Sequence, residues 1–251
     1  MLGERYMGVV RRILDAVETE ELPKVAAVAE RAAASVAAGG AFYVYDNGHM
    51  LNTELFNRAG GLALLAGVPV TRRAPGPDGR RFGGGPLAEP DAEAERMEDL
   101  SLARMAVRQA GVRADDVVML GSVSGRSPMV VELALAAKRR GAYTVALTAR
   151  AYAEILPPLH PSGQLLYQAA DMVLDTHTAV GDAELAVEGL PEKLLPSSGI
   201  SAAVVAWCLI GELVEQLLAR GIVPTVLRSI NYPDGPERYA EAMARYRERG
   251  V

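Results

Sequence analysis

Cysteine is almost missing from this chain: Cys208 is the only one among 251 residues. No disulfide can close within the chain, and a metal cluster built on cysteine is excluded. Cys208 sits in an apolar run, where a thiol behaves as a small buried hydrophobe. Histidine is scarce too. His49, His160 and His177 are the full set, and no His-x-x-x-His spacing links them, so no metal site is expected. Aromatic residues make up 5% of the chain, and the abundant alanine suits close-packed helices instead. Basic runs are lacking as well. Lysine and arginine number 26 against 31 acidic residues, for a net charge of −5, and they are scattered, which argues against nucleic acid and anionic membrane surfaces as partners. The most hydrophobic stretch, Ala202 to Ile210, is too short to span a bilayer and runs into Glu212 and Glu215. Met1 to Arg12 mixes charges among its apolar residues and offers no signal-peptide core. A soluble, cytoplasmic protein without membrane segments is the expectation.

What is present centres on Gly121-Ser122-Val123-Ser124-Gly125-Arg126-Ser127-Pro128. The apolar run Val117 to Leu120 before it reads as a buried strand. A helix with punctuation at both ends follows: Ser127 as N-cap, Pro128 in the first turn, Gly141 just past the end. Val130, Leu133, Ala134 and Ala137 share one face, and Lys138, Arg139 and Arg140 favour the last turn. A helix start leaves N–H groups open and carries partial positive charge, so it suits an anion. Ser122, Ser124 and Ser127 can each donate to a phosphate oxygen, and Gly125 lets the backbone come close. A Ser-rich turn also makes an ordinary loop and cap. Three hydroxyls around one helix start favour the ligand.

Other glycine-rich sites do not fit these letters. No Gly-Lys-Ser/Thr ending follows, as a P-loop needs, and no Gly-x-Gly-x-x-Gly follows the strand. A hydrolase elbow needs Gly-x-Ser-x-Gly, whereas Gly121 and Gly125 stand one residue too far apart around Ser124.

Read in order, residues 3–38 predict a helical N-terminal extension with a restart at Pro23, its apolar stripe buried on the sheet or in a dimer. Ala41 to Tyr45 predicts a strand, Asp46-Asn47-Gly48-His49 a turn, and Leu51 to Ala59 a second helix. Leu62 to Val70 can hold a further strand. Residues 71–90, rich in Gly, Pro and Arg, predict a mobile surface loop. After a helix over Glu93 to Ala110 come the serine turn, a strand over Tyr143 to Leu147 ending at Thr148, a short helix from Ala151, a loop with His160, a strand over Met172 to Leu174, a long helix from about Ile200 to Ala219, and a polar helix after Pro236. Alternating strands and helices predict one α/β domain spanning residues 1–251, with a mainly parallel sheet in a three-layer α/β/α sandwich. Ligands of such sheets lie beyond the carboxyl ends of the strands, where the Asn47, Ser122, Thr148 and Ser197 turns would gather.

Ser122-x-Ser124-Gly125-x-Ser127 opening a helix, with the Asn47-Gly48 turn before it and Thr148 after it, resembles the sugar isomerase (SIS) domain of phosphosugar enzymes and regulators. The closer likeness is to a single-domain, phosphosugar-binding bacterial branch, through Glu54 to Gly61, His160-Pro161-Ser162-Gly163, Gly181-Asp182-Ala183 and the Ser197-Ser198 helix start. The resemblance implies a five-stranded flavodoxin-like sheet, a homodimer or higher homo-oligomer, and a phosphorylated sugar as ligand. Ser122, Ser124 and Ser127 would hold the phosphate, with Gly125, Thr148, Asn47, Gly48, Ser197 and Ser198 in the same shell. One departure stands out. Asp46 occupies a position where relatives carry glycine, and a serine expected soon after His49 is missing; a carboxylate there would repel phosphate unless it points away.

Aldose–ketose isomerisation needs a base that moves a proton between carbons and an acid that opens the ring. Glu54, on the helix after the Asn47 turn, and His160, in a loop near the strand edge, are the candidates, and resemblance to heptose-phosphate isomerases implies a glutamate and a histidine in these roles. Either can equally be structural, and Asp182 can orient a sugar hydroxyl or cap a turn. An isomerase would need no organic cofactor. An etherase or lyase acting on a sugar phosphate, a non-catalytic sensing module and a dimer that has lost its ligand are the alternatives.

Overall fold

The computed structural model describes residues 1–48, 50–51, 54–70 and 92–251, with the backbone alone for residues 92, 94 and 95. The expected loop over 71–90, together with His49, lies outside the described residues.

The chain opens with α1 (Leu2–Ala16), passes through a single π turn (Val17–Glu21) and continues as α2 (Leu22–Ala37). Pro23 is the reason for the irregularity. Its ring clashes with the carbonyl four residues back and it brings no N–H, so the helix widens to get past it. The apolar stripe of α1 finds its partners in this same chain. Val9 and Ile13 pack with Leu185 and Leu195, Arg5 donates to the Ala186 carbonyl, and Tyr6 donates to that of Pro196.

Five strands follow: β1 (Phe42–Asp46), β2 (Leu65–Gly67), β3 (Val117–Gly121), β4 (Tyr143–Thr148) and β5 (Met172–Asp175). They form one parallel sheet in the order β2-β1-β3-β4-β5, the flavodoxin-like order. Val117, Val118, Met119 and Leu120 in the central strand are fully buried. Side chains of this kind each contribute roughly 1.5–3 kcal/mol on burial, which is why a continuous apolar run becomes the middle of the sheet.

Helices cover both faces. On one side α2 and α6 (Ser198–Ala219) pack on Val44, Met119, Val145 and Leu174; on the other, α3 (Ala92–Gln109), α4 (Pro128–Arg139) and α5 (Leu166–Ala169) cover Val118, Leu120 and Ala146. α7 (Gly235–Arg249) closes the chain. The long helix outgrows the apolar stretch seen in the sequence. At 22 residues α6 is long and apolar enough to cross a membrane by length and composition, but in this fold Ala202, Val205, Ala206, Leu209 and Leu213 make it a core helix.

Two expectations need correction. The segment after the Asn47 turn is not a helix in its described part: Glu54 and Leu55 N–H groups reach the Leu51 carbonyl for one turn, after which Asn57 (φ 52°) and Gly60 (φ 81°) adopt left-handed conformations that no helix continues. The short helix from Ala151 is a 3₁₀ turn, Arg150–Glu154.

Candidate functional site

At the carboxyl edge of the sheet, β1 and β3 run side by side in register, Asp46 opposite Gly121, and their following loops part to opposite sides. This is the topological switch point at which open α/β sheets bind ligands. A cleft of about 450 Å³ opens there, lined by Asp46, Asn47, Gly48, Met50, Ser122, Val123, Ser124, Tyr152 and Asp182. Asn47, Gly48, Ser122 and Ser124 therefore meet, as their turns predicted.

Each side chain has a local reason for its place. Asp46 is 3% exposed and its Oδ2 accepts the Leu51 N–H at 3.0 Å, so a backbone dipole offsets part of the charge expected to repel phosphate. Gly121 has to be glycine, because a Cβ there would stand 2.8 Å from Asp46 Oδ1. Ser122 is fixed by its N–H bond to Leu147 at 3.0 Å, while its hydroxyl has no hydrogen-bond partner among the described residues. The Ser124 hydroxyl accepts only a long 3.4 Å contact from the Arg126 N–H. Gly125 turns at φ 60°, where a Cβ would press on Thr148 Oγ1 at 3.0 Å. Thr148 itself is buried and donates to the Val123 carbonyl at 3.1 Å, bracing the turn from behind.

Ser127 occupies the N-cap position of α4, yet its hydroxyl makes no bond to the helix. It is not among the residues lining the cleft.

The other predicted residues are held elsewhere. Ser197 and Ser198 start α6, but their N–H groups go to Asp182 Oδ1 at 3.1 and 2.9 Å, and their hydroxyls to Glu184 Oε1 and Asp182 Oδ2, both at 2.6 Å. The protein's own carboxylates thus stand at the helix start where an anion would otherwise bind. Glu54 accepts from Trp207 Nε1 at 2.9 Å and pairs with Arg58 at 2.9 Å. His160 is buried against α4, with Nε2 2.9 Å from Glu132 Oε2 and Nδ1 3.0 Å from the Ser162 N–H. The Ser162 hydroxyl also lies 2.8 Å from Nδ1, so Ser162 braces the ring from one side and Glu132 from the other. Trp207 packs with the α2/α6 layer and Glu132 belongs to α4, so the structure holds Glu54 and His160 on opposite sides of the sheet.

Two site groups, Glu132 and Tyr152, escape the sequence reading. Glu132 is buried and collects Arg104, Arg139 and His160. Burial alone would raise its carboxyl, but hydrogen bonds from Arg104, Arg139 and His160 outweigh that and bring it below the ordinary carboxylate value. Tyr152 stands on the cleft wall, its hydroxyl accepting the Gly181 N–H at 2.8 Å; burial, with Asp182 adding, raises its phenol, so it keeps its proton at neutral pH. Asp182, read from the sequence as a group that orients a sugar hydroxyl or caps a turn, lines the cleft and also accepts the N–H groups of Ser197 and Ser198, 15 and 16 residues onward. A further cluster, Glu20, Glu21 and His177, brings its ligating atoms within 4.8 Å of one another. Lys24 Nζ lies 2.6 Å from Glu21 Oε1 and supplies the positive charge there, which makes this an ion-pair cluster.

Comparison with known proteins now decides the family, because the sequence pattern of the SIS domain matches residues 5–149, more than half of the chain. The chain belongs to the SIS domain family. The SIS match spans α1 through β4 and so includes both loops of the cleft. Over nearly its full length the chain is similar to UPF0309 proteins: 34% identical to one from Streptomyces griseus subsp. griseus, covering 99% of this chain and 96% of that protein, and 31% identical to one from Geobacillus kaustophilus, covering 98% and 94%. Its fold is similar to a phosphoheptose isomerase from Francisella tularensis, with TM-score 0.50 and 15% identity over 84% of this chain and 96% of that one.

Proposed function

We propose that the cleft binds a phosphorylated sugar, the phosphate resting on Ser122, Ser124 and the open start of α4, and the sugar lying toward Asn47, Tyr152 and Asp182. One observation carries this reading: the Ser122 hydroxyl, without a hydrogen-bond partner among the described residues, lines the cleft at the switch point, on the turn that leads into α4. Membership of the SIS domain family supports it. Neutral donors and a helix end hold phosphate without a lysine, and Asp182 is an acceptor for sugar hydroxyls. The same reading places the protein in the cytoplasm, where phosphorylated sugars are made and used. It also favours a homodimer, in keeping with the apolar Met7, Ile200 and Leu218 left exposed on α1 and α6.

Aldose–ketose isomerisation is the second reading. Tyr152 and Asp182 give the cleft wall a phenol that keeps its proton and a carboxylate, the two kinds of group that proton transfer between neighbouring carbons requires. The separation of Glu54 from His160 favours binding without turnover by that pair inside one subunit.

A thermal-shift panel of sugar phosphates tests the proposal, since a ligand specific to the native state raises its stability. The expected result is a shift with at least one sugar phosphate that Ser122→Ala/Ser124→Ala abolishes. No shift with any member of the panel, in folded protein, refutes the phosphate cradle. The winning sugar, assayed for aldose–ketose conversion with Tyr152→Phe alongside, separates turnover from binding.

A further inference from the structure

The arginines scattered through the sequence are not scattered in space. Arg104 and Arg108, one helical turn apart on α3, meet Arg139 and Arg140 from the end of α4 around a groove of about 210 Å³ with Val107 and Ala136 in its lining. Among the described residues one carboxylate answers them. Glu132 takes Arg104 Nε at 2.8 Å and also Arg139. Arg140 donates to the Val112 carbonyl, and among the described residues neither Arg140 nor Arg108 pairs with a carboxylate. Four guanidinium groups against one carboxylate leave this groove positive, in a chain whose net charge is −5. The end of α4 contributes partial negative charge, which accounts for one cation in the last turn rather than for four.

We propose that this groove is a second anion site and takes a compact multivalent phosphate, a di- or triphosphate group. Guanidinium forks match phosphate oxygens two at a time, which a lysine cluster would not do. Val107 and Ala136 are nearly buried, and an apolar lining strengthens each charge contact made against it. The volume equals about seven waters, room for linked phosphates with any attached organic group lying outside. This site is separate from the cleft. Helix α4 starts beside the serine turn and ends at the groove, and its 12 residues set the two roughly 18 Å apart. The proposal therefore does not depend on what the cleft binds.

The test uses sodium pyrophosphate and tripolyphosphate as probes, by calorimetry and thermal shift, on the wild type, on Ser122→Ala/Ser124→Ala and on that variant with Arg108→Gln/Arg140→Gln added, with sodium sulfate at matched ionic strength as control. Neither substituted arginine holds Glu132, and circular dichroism checks that each variant is folded. Expected are binding by the wild type that weakens as salt rises, binding that persists in the serine variant, where the cleft cradle is removed, and binding at least tenfold weaker when Arg108→Gln/Arg140→Gln is added to the serine variant. Absence of binding to the wild type overturns the proposal. So does a response to sulfate equal to that to pyrophosphate, loss of binding in the serine variant, or retention of it when the arginine and serine changes are combined.

Discussion

His160 Nε2 lies 2.9 Å from Glu132 Oε2, and this contact fastens the loop after β4 to the middle of α4. The same loop grips the serine turn twice more, through Arg126 Nε on the Pro157 carbonyl at 2.8 Å and the Leu166 N–H on the Gly125 carbonyl at 2.8 Å. Buried Glu132 and His160 are thus tied through this segment to the serine turn that leads into α4.

Replacing Glu132 should cost stability and change its dependence on pH. Its folded-state pKa is depressed, so its contribution is present above the ordinary carboxylate value and is lost as pH falls through the folded value. Glu132→Gln is expected to lower stability by about 3 kcal/mol at neutral pH, near the lower end for breaking a buried pair because both arginines reach solvent. Urea unfolding at pH 7 and pH 3.5 measures this. The gap between variant and wild type should narrow at the lower pH.

Gly125→Ala should strain the cradle from inside. The position sits at φ 60°, and the added Cβ would meet Thr148 Oγ1 at 3.0 Å and Leu166 Cβ at 3.3 Å. A loss of about 1–3 kcal/mol is expected, with weakened sugar-phosphate binding. A wild-type melting temperature would count against the strained turn.

Asp182→Ala should uncover the start of α6. Losing a capping carboxylate costs about 1–2 kcal/mol, and the Ser197 and Ser198 N–H groups then become available to an external anion. Inorganic phosphate is expected to recover part of the lost melting temperature in this variant, and to do so less in the wild type. Equal response of both proteins would show that the helix start is not an anion site.

Tyr152→Phe removes a protonated phenol from the cleft wall. Binding of the preferred sugar phosphate should weaken about five- to tenfold, the scale of one hydrogen bond. Calorimetry reads this directly, and an unchanged affinity would place the sugar away from Tyr152.

The strand, serine turn and helix over residues 117–141 were legible because every signal there is local: a β-branched apolar run, a proline in the first helical turn, and Gly141 at φ 85° just past the end. Helix over residues 51–59 was misread for the same reason turned around. Its letters favour a helix, but in its described part the chain leaves the helical path at Asn57 and Gly60, where the Gly60 N–H and the Gly61 carbonyl bond to distant Leu227. Ser197 and Ser198 looked like ligand donors because nothing nearby in sequence shows that Asp182 and Glu184 reach them first.

By itself the sequence determined the alternation of strands and helices, the parallel sheet and the serine turn at a helix start, since periodicity and capping act within a few residues. Only the tertiary structure decided which polar side chains stay available. It spent Ser197, Ser198, Glu54 and His160 on partners within the chain, left the Ser122 hydroxyl without a partner among the described residues, and brought Arg104 beside Arg139. Burial makes every polar group seek a partner wherever the fold places one, and that choice is made across the whole chain.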